Sequence, residues 1–420
     1  MPVPLRRLFL TGAGSLALWS GAALARPRHA AAPHKTAGKP AKSGDDDDDS
    51  GGDATAAQDS SPAQTPVGPL DTEARWAFIQ DYNTGTVLLQ KAADERMPPS
   101  SLTKLMTAYI TFSMLKSGRL HLDQQLPVSE KAWRMQGSKM FVPLGASIPV
   151  SQLIQGMVIQ SGNDACIVLA EGISGSEDQF VALMNKEAAR LGLTNTQFRN
   201  CTGWPDPDHY MSARDIGTLA HHIIADYPEY YHFFSEKDFR FNNISQGNRN
   251  VLVDKGLADG LKTGHTDAGG FGLCASSDHG GHRITVVVNG LPSSKARASE
   301  GERLLGWAFA NFENVALLRK GQDLQVAKVW LGEAPTVPLQ AGGDLTVTVP
   351  HGWQNRVKVS LDYQAPLPAP IAAGQQVGTI TIAGASVDPI ELPLVAGASV
   401  PRLGLISRSV AVLGHLAGRA

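Results

Sequence analysis

Apolar and polar positions recur with different periods along the chain, and these periods predict where it folds. Residues 26–70 contain few apolar side chains, whereas short alternating runs and helical stripes begin near residue 71. Trp76–Ile79 and Thr86–Leu89 are apolar runs on either side of Asn83-Thr84-Gly85, a pattern typical of a β-hairpin with glycine in the left-handed conformation. Folded structure is therefore predicted from residue 71 onward, beginning with paired strands.

Helical stripes and further strands follow this hairpin. Behind Pro98 and Pro99, apolar residues recur three and four positions apart and stop before Gly118, which predicts a helix. Its stripe consists of Leu102, Leu105, Met106, Tyr109 and Ile110. Similar patterns predict helices over residues 152–160, 179–191, 213–224 and 294–312, a helix beginning at residue 164, and paired strands over Phe271–Ser276 and Ile284–Val288.

The character of the chain changes again near residue 315. Short strands separated by glycine and proline turns predict a separate, small all-β sandwich over residues 316–398. Residues 399–420 have an amphipathic pattern, which favours a helix lying on a membrane surface over one that spans it; a helix packed on its own domain stays open as an alternative. The apolar face holds Leu403, Ile406, Val410, Leu413 and Ala417, and the polar face holds Arg408, His415 and Arg419.

The amino terminus has the features of an export signal. Arg6 and Arg7 precede the apolar run Leu8–Leu24, and Ala23-Leu24-Ala25 is a small-x-small cleavage pattern. The run is short and interrupted by glycines, so residues 1–25 are predicted to be a signal peptide rather than a membrane span. The paired arginines leave the general secretory and twin-arginine routes open. Residues 26–70 are predicted to be a disordered linker.

Composition narrows the functional classes. The net charge is −2, which gives no indication of nucleic-acid binding. The three cysteines, Cys166, Cys201 and Cys274, lie in apolar or mixed stretches without the spacing of a zinc site. No metal site and no cofactor are predicted.

One serine and lysine pair has the spacing for nucleophilic chemistry. Ser101 and Lys104 lie three residues apart on the predicted helix, so both side chains lie on one face. A serine needs a base within hydrogen-bond reach, and a lysine amine can serve if burial or a nearby cation keeps it neutral. Ser113 and Lys116 share this spacing, but Ser113 lies about 120° round the helix and far from its amino-terminal end. Ser101 and Lys104 are therefore the candidate pair.

Two later stretches carry further polar groups. Ser161-Gly162-Asn163 interrupts two apolar helical runs, which places a hydroxyl and an amide on a short loop inside the domain. Lys262-Thr263-Gly264 lies on or near a predicted strand, where glycine lets a ligand or another backbone approach closely.

Together these three stretches, in this order, resemble the signatures of penicillin-recognising serine enzymes. The longer runs Ser161–Cys166, Lys262–Ala268 and Asp81–Gly85 extend the likeness to the D-alanyl-D-alanine carboxypeptidases, the low-molecular-mass penicillin-binding proteins of the penicillin-binding protein 5 type. The resemblance implies an α/β (α+β) domain with a central antiparallel sheet and a helical subdomain over residues 71–315, followed by the β-sandwich.

The resemblance also implies a role for each polar group. Ser101 would be acylated, Lys104 would act as general base, and Ser161 would relay the proton to the leaving D-alanine. Asn163 would hold the amide of the substrate backbone. The remaining groups implied to bind substrate belong to Lys262, Thr263, Gly264, His265 and Arg249, with the backbone amides of Ser101 and His265 forming the oxyanion hole.

The implied partners are the peptidoglycan stem peptide, β-lactam antibiotics and, through the carboxyl-terminal helix, a membrane surface. The implied location is the periplasm, peripheral on the outer face of the inner membrane. A D,D-endopeptidase and a weak β-lactamase of the same fold are alternatives. From another class, a catalytically silent scaffold that binds the cell wall is a further alternative, although such a scaffold has no need of Ser101, Lys104, Ser161 and Lys262 together.

Overall fold

The computed structural model describes residues 6–10, 61–353, 357–384 and 387–416. Its strands are β1 (Arg6–Leu10), β2 (Trp76–Asp81), β3 (Val87–Lys91), β4 (Gln125–Pro127), β5 (Ser147–Pro149), β6 (Asp238–Phe241), β7 (Ile244–Gly247), β8 (Gly260–Thr266), β9 (Gly270–His279), β10 (His282–Leu291), β11 (Phe312–Leu318), β12 (Asp323–Trp330), β13 (Thr336–Ala341), β14 (Leu345–Pro350), β15 (Val357–Tyr363), β16 (Leu367–Pro368), β17 (Gln376–Gly384) and β18 (Val387–Ala396). Its helices are α1 (Lys104–Lys116), α2 (Glu130–Arg134), α3 (Val150–Val158), α4 (Asn163–Ser174), α5 (Glu177–Arg190), α6 (Ala213–Asp226), α7 (Val251–Asp254), α8 (Ser294–Asn311) and α9 (Leu405–Leu416).

A five-stranded sheet organises the first unit. Its strand order is β3-β2-β10-β9-β8, and every neighbouring pair is antiparallel. Strand β8 lies at one edge, paired only with β9 within this sheet, so that Lys262 lies opposite Cys274. The predicted hairpin, the predicted paired strands and the predicted fold class are confirmed.

Side chains on the two faces of this sheet enter two separate cores. On β2, Trp76 and Phe78 belong to the core that also contains residues of α1, α3, α4 and α6, while Ala77 and Ile79 belong to the core that contains residues of α8. This alternation follows from the period of two along a strand. Helix α1 is buried on nearly every side. It therefore forms the middle of the larger core, and its amino-terminal end is held at the edge of the sheet.

The segment before α1 differs from the prediction. Ser101 does not lie on the α-helix but in a 3₁₀ turn, Ser100–Thr103, and α1 begins only at Lys104. Ser100 has a φ of 51°, in the left-handed region, which a continuing α-helix cannot accommodate. In a 3₁₀ turn, residues three apart still lie on the same side, so Ser101 and Lys104 remain neighbours.

The prediction that residues 26–70 are disordered is wrong for the last ten of them. Ala63 exchanges backbone hydrogen bonds with Leu70, and Gln64 does the same with Gln90 of strand β3. Ala63 is completely buried in the core beside α8. Backbone pairing to the open edge of the sheet orders this segment despite its few apolar residues. The rest of the predicted linker lies outside the described residues, as does the predicted signal peptide except for β1.

A second, all-β unit follows α8. Its seven-stranded sheet has the order β1-β15-β17-β18-β13-β12-β16, and β11 pairs with β14 in a two-stranded sheet. Strand β11 begins at Phe312, before the predicted boundary at residue 316. The turn of the first hairpin touches this unit, since Thr84 Oγ1 bonds Thr348 Oγ1 and Asn314 Nδ2 donates to Asn83 Oδ1.

Helix α9 begins later than the predicted start at residue 399. Backbone bridges join Val400 to Ile371 and Arg402 to Gly332, and the Leu403 N–H donates to Leu331 O. Leu403 therefore belongs to the β-unit rather than to the apolar face of the helix. Within the described residues, none of the helices combines the length and the apolar character needed to cross a bilayer. Ala417 and Arg419 lie outside the described residues.

Candidate active site

The amine of Lys104 is the centre of the site. Its Nζ lies 2.8 Å from Ser101 Oγ, 2.7 Å from Asn163 Oδ1 and 2.6 Å from the carbonyl oxygen of Thr202. The side chain of Lys104 is 1% exposed, whereas Ser101 is half-buried. Three parts of the chain, the 3₁₀ turn, the start of α4 and the loop after α5, thus supply one oxygen each to a buried amine.

The chemistry of these three oxygens assigns the direction of each hydrogen bond. The Asn163 and Thr202 oxygens are carbonyl oxygens, which can only accept. A neutral amine has two N–H groups, and both are needed for these two acceptors. The lone pair of the nitrogen is then left for the third neighbour, Ser101 Oγ, whose O–H can donate. In the neutral state the geometry therefore prepares Lys104 to take the proton of Ser101.

The surroundings favour this neutral state. Burial lowers the pKa of the Lys104 amine to about 8, and the Arg249 guanidinium acts in the same direction. Cys166 and Cys201 would oppose this shift only as thiolates. Burial raises the pKa of the Cys166 thiol to about 12 and that of the Cys201 thiol well above its usual value, so both thiols are uncharged near neutral pH.

The buried side chain of His209 is hydrogen-bonded to the 3₁₀ turn that contains Ser101. His209 Nδ1 accepts the backbone N–H of Arg199, so the proton of the neutral ring lies on Nε2. His209 Nε2 lies 2.8 Å from Thr103 Oγ1 and donates to it. Burial lowers the pKa of His209 to about 4, which keeps the ring neutral under physiological conditions. The residue next to Lys104 is therefore fixed by an uncharged partner.

Ser161 and Asn163 lie where α3 gives way to α4. Ser161 has a φ of 68°, and its buried Oγ has no hydrogen-bond partner among the described residues. Besides accepting from Lys104, Asn163 donates through Nδ2 to Gln136 O at 2.8 Å. A buried hydroxyl without a partner is costly in a finished structure, so the Ser161 hydroxyl is available to a ligand.

Asp164 ties a neighbouring loop to this corner. Its carboxylate accepts the backbone N–H groups of Met140, Phe141 and Val142 at 2.8 to 3.1 Å. The Asn163 N–H also donates to Ser138 O at 2.7 Å. The loop before β5 therefore forms one wall of the site, held by charge-assisted hydrogen bonds.

Strand β8 forms the opposite wall. Lys262 is buried and donates through Nζ to Thr263 O at 2.9 Å. Burial lowers the pKa of the Lys262 amine well below its usual value, and the charges of Lys104 and Arg249 act in the same direction. A Cβ on Gly264 would lie 3.2 Å from the backbone nitrogen of Ser101, so the glycine permits the close approach of the strand to the turn. That Lys262 carries the charge that favours neutral Lys104 stays a prediction.

The other two predicted residues lie at the rim. The ring of His265 is exposed and stacks on Phe271 with centroids 3.8 Å apart. Arg249 is half-buried, its backbone N–H donates to Ile159 O, and its charge reaches both buried amines. The structure thus gathers the predicted residues of all three stretches, together with Arg249, around Lys104.

Sequence reasoning missed Arg297, Thr202 and Gly203. Arg297 is 6% exposed, lies over the Phe271 ring at 5.7 Å, and its charge contributes to the lowered pKa of Lys262. Arg297 lies four residues before Gly301 on the buried stripe of α8. This position was a usable signal of a functional role, because an arginine is rarely buried unless it has a partner. Thr202 acts through its backbone carbonyl, which no side-chain pattern reveals.

Two family models match the chain. Residues 61–292 match the model described as D-alanyl-D-alanine carboxypeptidase. Residues 312–402 match the model described as penicillin-binding protein 5, C-terminal domain.

Individual proteins match over most of their length. D-alanyl-D-alanine carboxypeptidase DacA of Haemophilus influenzae is 40% identical over 321 residues, which is 75% of this chain and 82% of that protein. D-alanyl-D-alanine carboxypeptidase DacC of Escherichia coli is 38% identical over 357 residues, 82% of this chain and 89% of that protein. A crystal structure of penicillin binding protein 5 from Haemophilus influenzae superimposes with a TM-score of 0.69 at 39% identity, covering 80% of this chain and 99% of that chain.

Gly203 provides a test of the packing around the turn that contains Ser101. It has a φ of 85°, and a Cβ there would lie 1.7 Å from Ser100 O, directly before Ser101. We expect Gly203→Ala to lower the free energy of unfolding and to displace the turn, with acylation by a β-lactam falling by about 100-fold or more. Chemical denaturation and the rate of labelling by a fluorescent penicillin measure the two effects.

Gly145→Ala is the matched control. Gly145 has a φ of 73° but nothing within 4 Å of its Cβ position, so it carries only the left-handed strain of about 1 kcal/mol. We expect Gly203→Ala to lose at least about 2 kcal/mol more, as overpacking does. Equal losses for the two variants, with labelling unchanged, would show that Gly203 is not needed for close approach.

Proposed function

The chain belongs to the D-alanyl-D-alanine carboxypeptidase family, and from this premise we propose that Ser101 removes the terminal D-alanine of peptidoglycan stem peptides through an acyl-enzyme. The observation that supports this proposal is the 2.8 Å contact between Lys104 Nζ and Ser101 Oγ, made by an amine whose other two neighbours can only accept. It is the arrangement that a serine requires of its base.

Acylation follows from this geometry. Ser101 Oγ attacks the carbonyl carbon between the two terminal D-alanines, and its proton passes to Lys104 Nζ. The backbone amides of Ser101 and His265 stabilise the negative oxygen that develops, a contribution of a few kcal/mol per donor in comparable sites. When the C–N bond breaks, the departing amine takes up a proton, and the unpartnered Ser161 hydroxyl is the group that relays it from Lys104.

Deacylation uses the same base. A water molecule gives a proton to the neutral amine of Lys104 and attacks the ester carbonyl. When the ester C–O bond breaks, the protonated amine returns that proton to Ser101 Oγ, 2.8 Å away, which frees Ser101 and the shortened stem. β-Lactams place a strained amide in the position of the D-Ala-D-Ala bond. We propose that they acylate Ser101 by the same step.

The positive side of the site is the proposed place for the free carboxylate of the substrate. Lys262, Arg249 and Arg297 converge there, and Thr263 adds a hydroxyl. An arriving carboxylate stabilises the charged form of Lys262, which burial alone disfavours. The electrostatic attraction of this cluster suits a substrate with a free carboxylate next to the bond that is cleaved, as the terminal D-alanine has.

The nucleophile is tested by substitution. We expect Ser101→Ala to abolish both labelling by a fluorescent penicillin and release of D-alanine from a pentapeptide ending in D-Ala-D-Ala. Ser113→Ala is the control, since Ser113 begins the second Ser-x-x-Lys stretch on a different part of α1. Labelling by the wild type without D-alanine release would favour the endopeptidase. If the wild type is not labelled, the alternative of a catalytically silent scaffold is favoured.

The pH dependence tests the base. Because the pKa of Lys104 is lowered to about 8, its neutral fraction grows as the pH rises through this value. That fraction goes from roughly a tenth at pH 7 to roughly nine tenths at pH 9. We expect the second-order rate of acylation by penicillin to rise with it, once uncatalysed hydrolysis of the antibiotic is subtracted. A rate that is flat or falls between pH 7 and 9 would rule out Lys104 as a base with this pKa.

We further propose that the enzyme is exported and lies on the periplasmic face of the inner membrane. The apolar side chains of α9 support contact with a membrane surface, since Ile406 is 84% exposed and Val410 is 65% exposed. Leu405 and Leu413 are exposed beside them, so the helix presents an unpaired apolar face of the kind that inserts into a lipid interface.

Vesicle sedimentation tests the membrane contact. We expect the full chain to sediment with vesicles of phosphatidylethanolamine and phosphatidylglycerol, and the double variant Ile406→Glu, Val410→Glu to stay largely in the supernatant. Penicillin labelling serves as the control for folding, since α9 lies outside the active site. Equal sedimentation of both proteins would show that α9 is not the anchor.

A further inference from the structure

A large apolar side chain lies exposed beside the catalytic amide. Trp204 is 44% exposed, and it directly follows Gly203, the glycine packed against the nucleophile turn. A Cβ on Gly137 would lie 3.1 Å from Trp204 Cζ3 and 2.8 Å from Asn163 Nδ2. The indole and the Asn163 amide are therefore neighbours across one glycine, and the indole borders the cleft.

The backbone that carries this indole is held firmly. Asn200 Oδ1 accepts the N–H groups of Gly203 and Trp204 at 2.8 and 3.0 Å, and Asn200 Nδ2 donates to Trp204 O at 2.9 Å. Thr202 Oγ1 accepts the Trp204 N–H as well, at 3.1 Å. An exposed apolar ring on a fixed backbone loses little conformational entropy when it binds a partner.

The position of the charges shows which part of the substrate meets this ring. The basic side chains of Lys262 and Arg297 lie on β8 and α8, on one side of the site. A peptide with its terminal carboxylate on that side and its reacting carbonyl at Ser101 extends its remaining residues toward Asn163. Trp204 lies beside Asn163, so it faces the acyl half of the substrate and not the departing D-alanine.

We propose that Trp204 forms an apolar subsite for the aliphatic side chain of the residue immediately before D-Ala-D-Ala, and that it makes the enzyme select stems by that side chain. This inference rests on the proposed function. Trp204 is a specificity residue: it takes no part in proton transfer, and its effect depends on the side chain of the substrate. A diamino acid with a long methylene chain in that position fits an indole face, whereas glycine leaves the face bare.

Two synthetic peptides test this assignment. We would measure kcat/KM for diacetyl-L-Lys-D-Ala-D-Ala and for acetyl-Gly-D-Ala-D-Ala, and take the ratio of the two values for each protein. We expect Trp204→Ala to lower this ratio roughly tenfold relative to the wild type, the size of discrimination that an apolar pocket provides. Trp204→Phe, which keeps an aromatic face, should retain most of the ratio. Trp133→Ala, which removes a tryptophan of 43% exposure from α2, should leave the ratio unchanged.

The outcomes separate the inference from the proposed function. A loss of kcat/KM by the same factor for both peptides would overturn the subsite and give Trp204 a general structural role. An unchanged ratio in Trp204→Ala would overturn it as well. If the wild type releases D-alanine from neither peptide, the proposed function fails. The subsite is then tested by competition with fluorescent penicillin for Ser101. If the subsite exists, the lysine peptide protects Ser101 from labelling better than the glycine peptide does, and this advantage is lost in Trp204→Ala.

Discussion

The burial of the Lys104 amine is the constraint on which the rest of the active site depends. An amine removed from water must regain hydrogen bonds from the protein, and the three oxygens that surround it come from segments far apart in the chain. Those segments meet because α1 is buried on nearly every side and shares its core with other helices and the sheet. The same burial that stabilises the core lowers the pKa of Lys104, so stability and reactivity have one cause.

The turn that contains Ser101, the proposed nucleophile, is held between two close backbone approaches. Gly203 contacts the carbonyl side of the 3₁₀ turn, and Gly264 of β8 contacts its amide side. The turn itself contains Ser100 in the left-handed region, and Ser161 adopts the same conformation across the site. Strained residues of this kind persist only where their surroundings determine the backbone, and both lie next to reacting groups. The rigidity of this corner is therefore part of its chemistry.

Charge and apolar surface are divided between the two sides of the cleft. Arginine and lysine side chains gather near β8 and α8, while the loop after α5 presents an indole beside Asn163. Such a division matches the proposed substrate, which is charged at one end and aliphatic further along. Among the residues that the structure describes, the second unit supplies none of the hydrogen-bond partners of Lys104. It contacts the turn of the first hairpin, where Thr348 bonds Thr84 and Asn314 donates to Asn83.

Much of this protein was determined by local sequence. The alternation in Trp76–Ile79 and the stripes around α1 and α6 predict their elements, because the periods of strands and helices are properties of a short segment. Ser101 and Lys104, three apart, share a side in either kind of helical turn. Their contact could therefore be predicted, although Ser101 lies in a 3₁₀ turn before α1 and not on the α-helix. The tertiary structure decided the rest. It ordered residues 61–70 through pairing with β3, brought the Thr202 carbonyl to Lys104, brought the charge of Arg297 within electrostatic reach of Lys262, and set Trp204 against Gly137. Each of these depends on segments distant in sequence, whose approach is set by core packing that no local pattern records.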